Sequence, residues 1–498
     1  MSTPAVSPEA TAVSATQAYQ QLLSSALNSG RAQDLPALLR LVTGDHTLPY
    51  NSRLRLLHAV CSVAASAAEP LGSFGDVPAR RALLVFQPWF NFDFLRMVRT
   101  ALDDGLLLPV FAGFRTTGRR LPAGVTAENF QAFEYEGYRL WDICAYRLAT
   151  SLRCLPEDID ARQAVALARI RQVYGEAAEL IDEARQFVRF YRPESVIYAQ
   201  GHDLIAAVVR HVAIRAGIRT VALENVFHRE KLGWEDIAGV AVNTNLARNF
   251  YWRYRDLIPA AEADRTVERY FAQVDSHKLT EHVSRNARTL PPSPGKTVLY
   301  LGQVATDAAV LFGRRGEFRS QVDAMLAAGR AADRLGARLV IKLHPKESPH
   351  NPSTEPYFRE LTAQWLAAAP EFVRLRETLG ERLIVDADNG LHTYMLIRAA
   401  DLCVTMNSQA GLEAAALGRE VILCGDAFYG NLGFTHEAHV PAELEDLIES
   451  VLSGSARVNA DARSRIFFHT FTELCCLPKQ EATLLQLARG RPNPPCLT

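Results

Sequence analysis

The sequence predicts an α/β protein: two doubly wound parallel sheets preceded by a small all-α N-terminal cap. Three observations predict it. From residue 79 onward, short apolar runs rich in β-branched residues alternate with amphipathic helical stretches. That alternation stops once, at Leu290-Pro291-Pro292-Ser293-Pro294-Gly295, and then begins again. Ahead of it, the spacing of apolar residues is helical only. A chain of 498 residues also exceeds one ordinary core. The boundaries read as 1–78 for a disordered tail plus helical cap, 79–290 for a first Rossmann-like domain, 296–455 for a second, and 456–498 for a helical tail.

Taken in order, residues 1–16 are rich in Ala, Ser, Thr and Pro and read as disordered. Tyr19, Leu22, Leu23 and Leu27 begin a helical pattern that continues over 35–42 and 54–67, giving a cap of about three helices. The first sheet has strands at 81–86, 106–111, 195–199 and 219–223. The strand at 81–86 runs into Gln87 and Asn91, that at 195–199 into His202 and Asp203, and that at 219–223 into Glu224 and Asn225. Between them lie helices at 94–103, 160–190 and up to Ala216; Ile170, Val173, Ala177, Ile181, Ala184 and Val188 form one stripe of the long one. The second sheet has strands at 297–301, 338–343, 383–386, 401–405 and 420–424, with helices near 318–335, 356–369, 391–399 and 408–417. Two such sheets with a cleft between their carboxyl edges form the GT-B arrangement of many glycosyltransferases, an outline that periplasmic binding proteins and some epimerases share.

Composition narrows the classes. Lys+Arg total 54 and Asp+Glu 55, so nothing supports a nucleic-acid binder. The eight cysteines form no C-x-x-C pair and read as buried free thiols of a reducing cytosol. The N-terminus lacks a basic segment followed by an apolar one, and no run approaches the ~20 apolar residues of a spanning helix. The expected location is the cytoplasm, with any membrane association peripheral and through an assembly complex.

The candidate chemistry sits at strand ends. His344 precedes Pro345 where a strand stops, and its ring N–H suits a phosphate oxygen. Lys342, two residues earlier, points either into the cleft or away from it. Asn407 and Ser408 open a helix; Ser408 is either a simple cap or part of an anion site at the helix N-terminus. Glu413, one turn into that helix, is a candidate for ribose hydroxyls or a solvated residue. Gly302 permits an unusual turn before Gln303. Asp307 is either the acid at an anomeric carbon or a residue that opens a helix. Glu224 faces the same cleft from the first sheet and suits a general acid or base for an acceptor hydroxyl, with His202, Asp203, Gln87 and Asn91 on neighbouring strand ends. Asp386-Ala387-Asp388 imitates a metal-holding D-x-D pattern but leads into the turn dipeptide Asn389-Gly390, so no metal and no cofactor is expected.

These residues resemble the capsule polysaccharide β-Kdo transferases. Residues 298–309, Val-Leu-Tyr-Leu-Gly-Gln-Val-Ala-Thr-Asp-Ala-Ala, resemble that family's Gly-Gln-Val-x-x-Asp-Ala-Ser stretch. His344-Pro345 resembles its His-Pro motif, and 405–415, with Gly411-Leu412-Glu413-Ala414, its Ser-x-x-Gly-Phe-Glu-Ala helix. Residues 425–435 resemble its Gly-x-Pro-Phe-Tyr-Ala-Gly-Trp-Gly-Leu-Thr loop, and Leu223-Glu224-Asn225 more weakly its Trp-Glu-Asp-Gly. The resemblance covers about 297–435 and implies a GT-B variant that transfers Kdo from CMP-Kdo to an oligosaccharide or glycolipid acceptor with retention. It implies that His344 and Ser408 bind the CMP phosphate; Lys342, Asn407, Gln303 and Glu413 are read as the further nucleotide side from their places in the sequence. Asp307 is then the nucleophile and Glu224 the acid/base; His202 and Asn225, at strand ends of the first sheet, are expected on the acceptor side. The chain departs from the family where an acidic pair becomes Thr306-Asp307, where Glu-Asp-Gly becomes Glu224-Asn225-Val226, and where the aromatic loop becomes Ala427-Phe428-Tyr429-Gly430-Asn431-Leu432. Those departures leave two alternatives open: a GT-B transferase with another activated sugar, and a catalytically silent GT-B scaffold.

Overall fold

The computed structural model describes residues 35–44, 48–66, 80–86, 92–113, 122–236, 246–281, 288–293, 295–351, 357–458 and 462–490. The expected N-terminal disorder, the helix around Tyr19 to Leu27, Gln87 and Asn91, and the chain end beyond 490 lie outside them.

Two sheets are present, as the alternation predicts. In the first, β1 (Arg80–Val85) pairs in parallel with β2 (Leu106–Leu107), β3 (Val110–Phe111) and β6 (Ser195–Ala199), and β6 with β7 (Arg219–Asn225). The small hairpin β4 (Glu134–Tyr135) and β5 (Tyr138–Arg139) stands apart. The sequence reading takes 106–111 as one strand; Pro109 has no N–H to donate and splits it. That reading also misses β8 (Lys231–Glu235), which turns back antiparallel on β7.

The second sheet is parallel throughout. Its strands are β9 (Thr297–Leu301), β10 (Arg338–Lys342), β11 (Leu383–Asp386), β12 (Leu402–Thr405), β13 (Glu420–Leu423) and β14 (His436–Glu437). Their order is β11-β10-β9-β12-β13-β14. β9, β10 and β12 are buried along their whole length, which is why they read as continuous apolar runs rather than alternating ones.

Three segments pack differently from the sequence boundaries. The helices Leu35–Gly44 and Tyr50–Ala65 form the helical N-terminal region that the sequence predicts, and Leu39, Val42, Leu57 and Cys61 share one core with β1, β3 and the Ala164–Tyr191 helix. The helices Leu246–Tyr254 and Ala260–Glu281 leave the first domain and pack into the second, where Tyr251, Tyr270 and Phe271 meet Phe467 and Phe468. The C-terminal stretch then crosses back. After the π-helix Thr470–Cys475, β15 (Leu477–Pro478) adds to the edge of β8, and the helix Glu481–Ala488 joins the first core. Each exchange buries apolar side chains that a separate cap or tail would leave in water.

Between the sheets, Phe227 N donates to Gln409 Oε1 at 2.9 Å and Arg153 Nη2 to Gln364 Oε1 at 2.9 Å. Ala149, Leu155 and Leu311 form a small apolar cluster across the same boundary. No described helix is long and apolar enough to cross a membrane.

Candidate functional site

The carboxyl ends of the parallel strands meet at a cavity of about 420 Å³, and a second of about 190 Å³ adjoins it. His344 and Ser408 line both. Glu224, Gln200 and Asn225 approach the larger one from the first sheet; Gln303, Asp307, Lys346 and Asn407 approach it from the second. Glu413, Lys342, His392 and Tyr394 line the smaller one.

The second-sheet side is held rigidly. A Cβ at residue 302 would lie 2.8 Å from the Lys342 carbonyl oxygen, so Gly302 is required by close approach of β9 to β10 and not by an unusual turn. Gln303 then clips two strand ends together: its Nε2 donates to Asn407 Oδ1 at 3.0 Å, and its Oε1 accepts from Asn407 N at 3.1 Å. Asn407 Nδ2 donates to the Ala309 carbonyl at 2.7 Å and the Asp426 carbonyl at 3.0 Å. With every polar side-chain atom of the pair engaged, Gln303 and Asn407 are braces that shape the cavity floor. Buried Glu347, which sequence reading misses, ties the loop after β9 to the His-Pro loop by accepting from Ala305 N and Thr362 N.

Asp307 and Ser408 are both helix openers. Asp307 Oδ1 accepts from Ala309 N at 2.9 Å, and Ser408 Oγ from Ala410 N at 3.2 Å. Capping does not remove either from the cavity, because both still line it. Gly411 lets the helix Gln409–Ala416 sit against Tyr429, whose hydroxyl donates to the Ser408 carbonyl at 2.5 Å. The result is a fixed helix N-terminus, with its positive dipole end on the wall between the two cavities. His344 completes that wall. Its Nδ1 accepts from Lys346 N at 3.1 Å, so a neutral ring carries its proton on Nε2 as a donor.

Glu224 and Asp307 form the electrostatic centre. Glu224 accepts from Gln200 Nε2 at 3.1 Å. Burial is the main cause that raises its carboxyl to about 7, and the negative charge of Asp307 adds to it. Gln200, the Asn225 amide and Lys346 pull the other way. Burial likewise raises Asp307, against the Ala309 hydrogen bond and Lys346. The site therefore presents one carboxyl near half-protonation at neutral pH opposite a second, which is the arrangement acid–base chemistry needs.

The other expected residues, Lys342, Glu413, His202 and Asn225, are tied into contacts of their own, and of these His202 alone lines neither cavity. The Lys342 ammonium is buried and already engaged, by Asp386 Oδ2 at 2.6 Å and by Asn389 Oδ1. Asp386 also accepts from Gly390 N at 2.8 Å and Leu391 N at 3.1 Å, and Asp388 pairs with Arg288. The D-x-D stretch is thus an anchored turn. Glu413 is buried and receives the hydroxyls of Tyr270 (2.5 Å) and Tyr394. His202 does not line the larger cavity: its ring stacks on Phe312 of the second domain at 4.7 Å, and burial lowers it to about 4. Asn225 does line it, with Oδ1 accepting from Lys479 Nζ at 2.8 Å. The C-terminal crossing adds Phe471 and Cys475 to the same wall, beside Trp234 of β8.

Comparison with known proteins agrees with the motif reading. Residues 226–451 match the family model described as "Capsule polysaccharide biosynthesis protein". No curated protein matches the chain. Among solved structures, the Thermosulfurimonas dismutans KpsC beta Kdo 2,4 transferase is 18% identical, covers 55% of this chain and 79% of its own, and gives a TM-score of 0.35. The beta Kdo 2,7 transferase of the same KpsC is 14% identical over 60% of this chain and 85% of its own, with a TM-score of 0.35. The Neisseria meningitidis UDP-GlcNAc 2-epimerase is 10% identical over 79% and 99%, with a TM-score of 0.31. At those TM-scores the structural likenesses carry no weight for substrate or chemistry. Over residues 226–451, the chain is similar to the capsule polysaccharide biosynthesis family, as its motifs indicate.

Proposed function

We propose that this protein is a glycosyltransferase of capsule or related surface-polysaccharide assembly, and that it moves Kdo from CMP-Kdo to a saccharide acceptor with retention. The observation that carries the reading is the pair Glu224 and Asp307 on one cavity, beside a partition made by His344 and Ser408. The nucleotide occupies the smaller cavity, and its phosphate meets the His344 ring and the helix N-terminus. The sugar and acceptor occupy the larger one.

In the first step an Asp307 oxygen attacks the anomeric carbon, and the bond from that carbon to the CMP phosphate oxygen breaks. CMP leaves with the bonding electrons, its charge met by the partition. In the second step Glu224 takes the proton of an acceptor hydroxyl, and that oxygen displaces Asp307 from the opposite face. Two displacements restore the original configuration. Phosphate charge is met here by protein donors, so the reading requires no metal and expects transfer to continue in excess chelator.

A transfer assay with purified protein, CMP-Kdo and a panel of oligosaccharide and glycolipid acceptors tests it. Product from the wild type and none from Asp307→Asn supports the reading. Equal cellular function of wild type, Asp307→Ala and Glu224→Ala favours the silent scaffold.

A further inference from the structure

We infer that Lys346 is a carboxylate subsite for the transferred sugar, so that the larger cavity selects a sugar acid over a neutral sugar. The inference rests on the glycosyltransferase reading and names what that reading leaves open, the residue that recognises the sugar.

Among the described residues lining the larger cavity, Lys346 is the one lysine or arginine. Its side chain is exposed to that cavity; its charge acts on Glu224 and Asp307 from a distance, but its ammonium makes no direct hydrogen bond or ion pair with another described residue. Its backbone is nevertheless fixed, because its N–H donates to His344 Nδ1. The stem thus starts from a set point two residues beyond the partition.

The two cavities separate the roles of the cations. His344 and Ser408 border both, where a phosphate bridging nucleotide and sugar would lie, whereas Lys346 borders only the larger. Lys346 is therefore on the sugar side. Two carboxylates already occupy that cavity, and a third negative charge beside them is unfavourable unless a cation offsets it. A neutral sugar's hydroxyl would accept a single ion–dipole hydrogen bond from the ammonium, whereas a carboxylate would gain a stronger bond between opposite charges.

The test uses the full-length protein with CMP saturating. Free Kdo is titrated against wild type, Lys346→Met and Lys346→Arg by thermal stability, beside the same sugar with its carboxylate reduced to an alcohol. The expected result is that wild type binds Kdo but not the alcohol, that Lys346→Met binds Kdo at least ~10-fold more weakly, and that Lys346→Arg stays within about threefold. CMP affinity of Lys346→Met should stay within about twofold of wild type, since a merely structural role would weaken both ligands. Three results overturn the inference: equal Kdo binding by Lys346→Met, a parallel fall in CMP affinity (which would place the lysine on the phosphate), or no Kdo binding by wild type. Transfer from CMP-Kdo separates the two claims. An active wild type with an equally active Lys346→Met keeps the function and removes the subsite. An inactive wild type whose Kdo binding still depends on Lys346 keeps the subsite and removes the donor assignment.

Discussion

Replacing Glu224 by Gln should stabilise the protein above neutral pH while it impairs catalysis. The folded carboxyl titrates at about 7, against 4.5 for an ordinary glutamate. Between those pH values the folded protein keeps a proton that the unfolded chain has released, so stability falls as pH rises through this window. The penalty is absent below about 4.5 and complete above about 7. A displacement of that size corresponds to at most about 3 kcal/mol. Glu224 keeps part of its surface open to the cavity, so solvent screening reduces the expected figure to about 1–3 kcal/mol. In Glu224→Gln the amide oxygen of the new side chain can still accept the Gln200 hydrogen bond, so the substitution removes charge with little loss of packing. Urea unfolding of both proteins at pH 5 and pH 8 measures it. The variant should gain about 1–3 kcal/mol more at pH 8 than at pH 5. An equal difference at both pH values would refute the assignment of a raised Glu224.

Three further outcomes follow from the same geometry. Asp307→Asn should lower turnover by at least about a thousandfold with little change in thermal stability, because Asn can still cap the short helix that follows; turnover within tenfold of wild type would remove Asp307 from the chemistry. His344→Ala should weaken CMP binding by about 10- to 100-fold in a calorimetric titration, the worth of a hydrogen bond to a charged group. Lys342→Met should destabilise by about 3 kcal/mol in urea, since it strands a fully buried Asp386, with the low end of the range expected because Gly390, Leu391 and Arg288 still bond that carboxylate; an effect on CMP affinity without one on stability would contradict this.

What the sequence makes legible is local. Strands β9, β10 and β12 are buried on both faces, so composition alone marks them, and their terminating His344-Pro345 and Asn407-Ser408 advertise the sheet edge. The long helix announces itself because its stripe is buried: Ile170, Val173, Ala177, Ile181 and Ala184 all lie in the core, with Val188 packed at its margin. Partners far apart in sequence are not legible. Lys342 reads as a phosphate candidate because nothing in its neighbourhood reveals Asp386 on the adjoining strand. His202 ends a strand beside Glu224's strand, yet the closure of the two domains turns it onto Phe312. The exchange of the Leu246–Tyr254 helix and the C-terminal crossing are likewise long-range, and they bring Leu246, Phe471 and Cys475 to a cavity that motif reading assigns to strand ends alone. Lys346 escapes notice because it follows a motif that already has an explanation.

The step through Asp307 is tested most directly by the anomeric configuration of the product, read by NMR after incubating wild type and Asp307→Asn with CMP-Kdo and a saccharide acceptor. A double displacement through Asp307 gives a Kdo linkage with the donor's own configuration from the wild type and none from the variant. An inverted linkage, or a variant as active as wild type, would contradict a double displacement through Asp307.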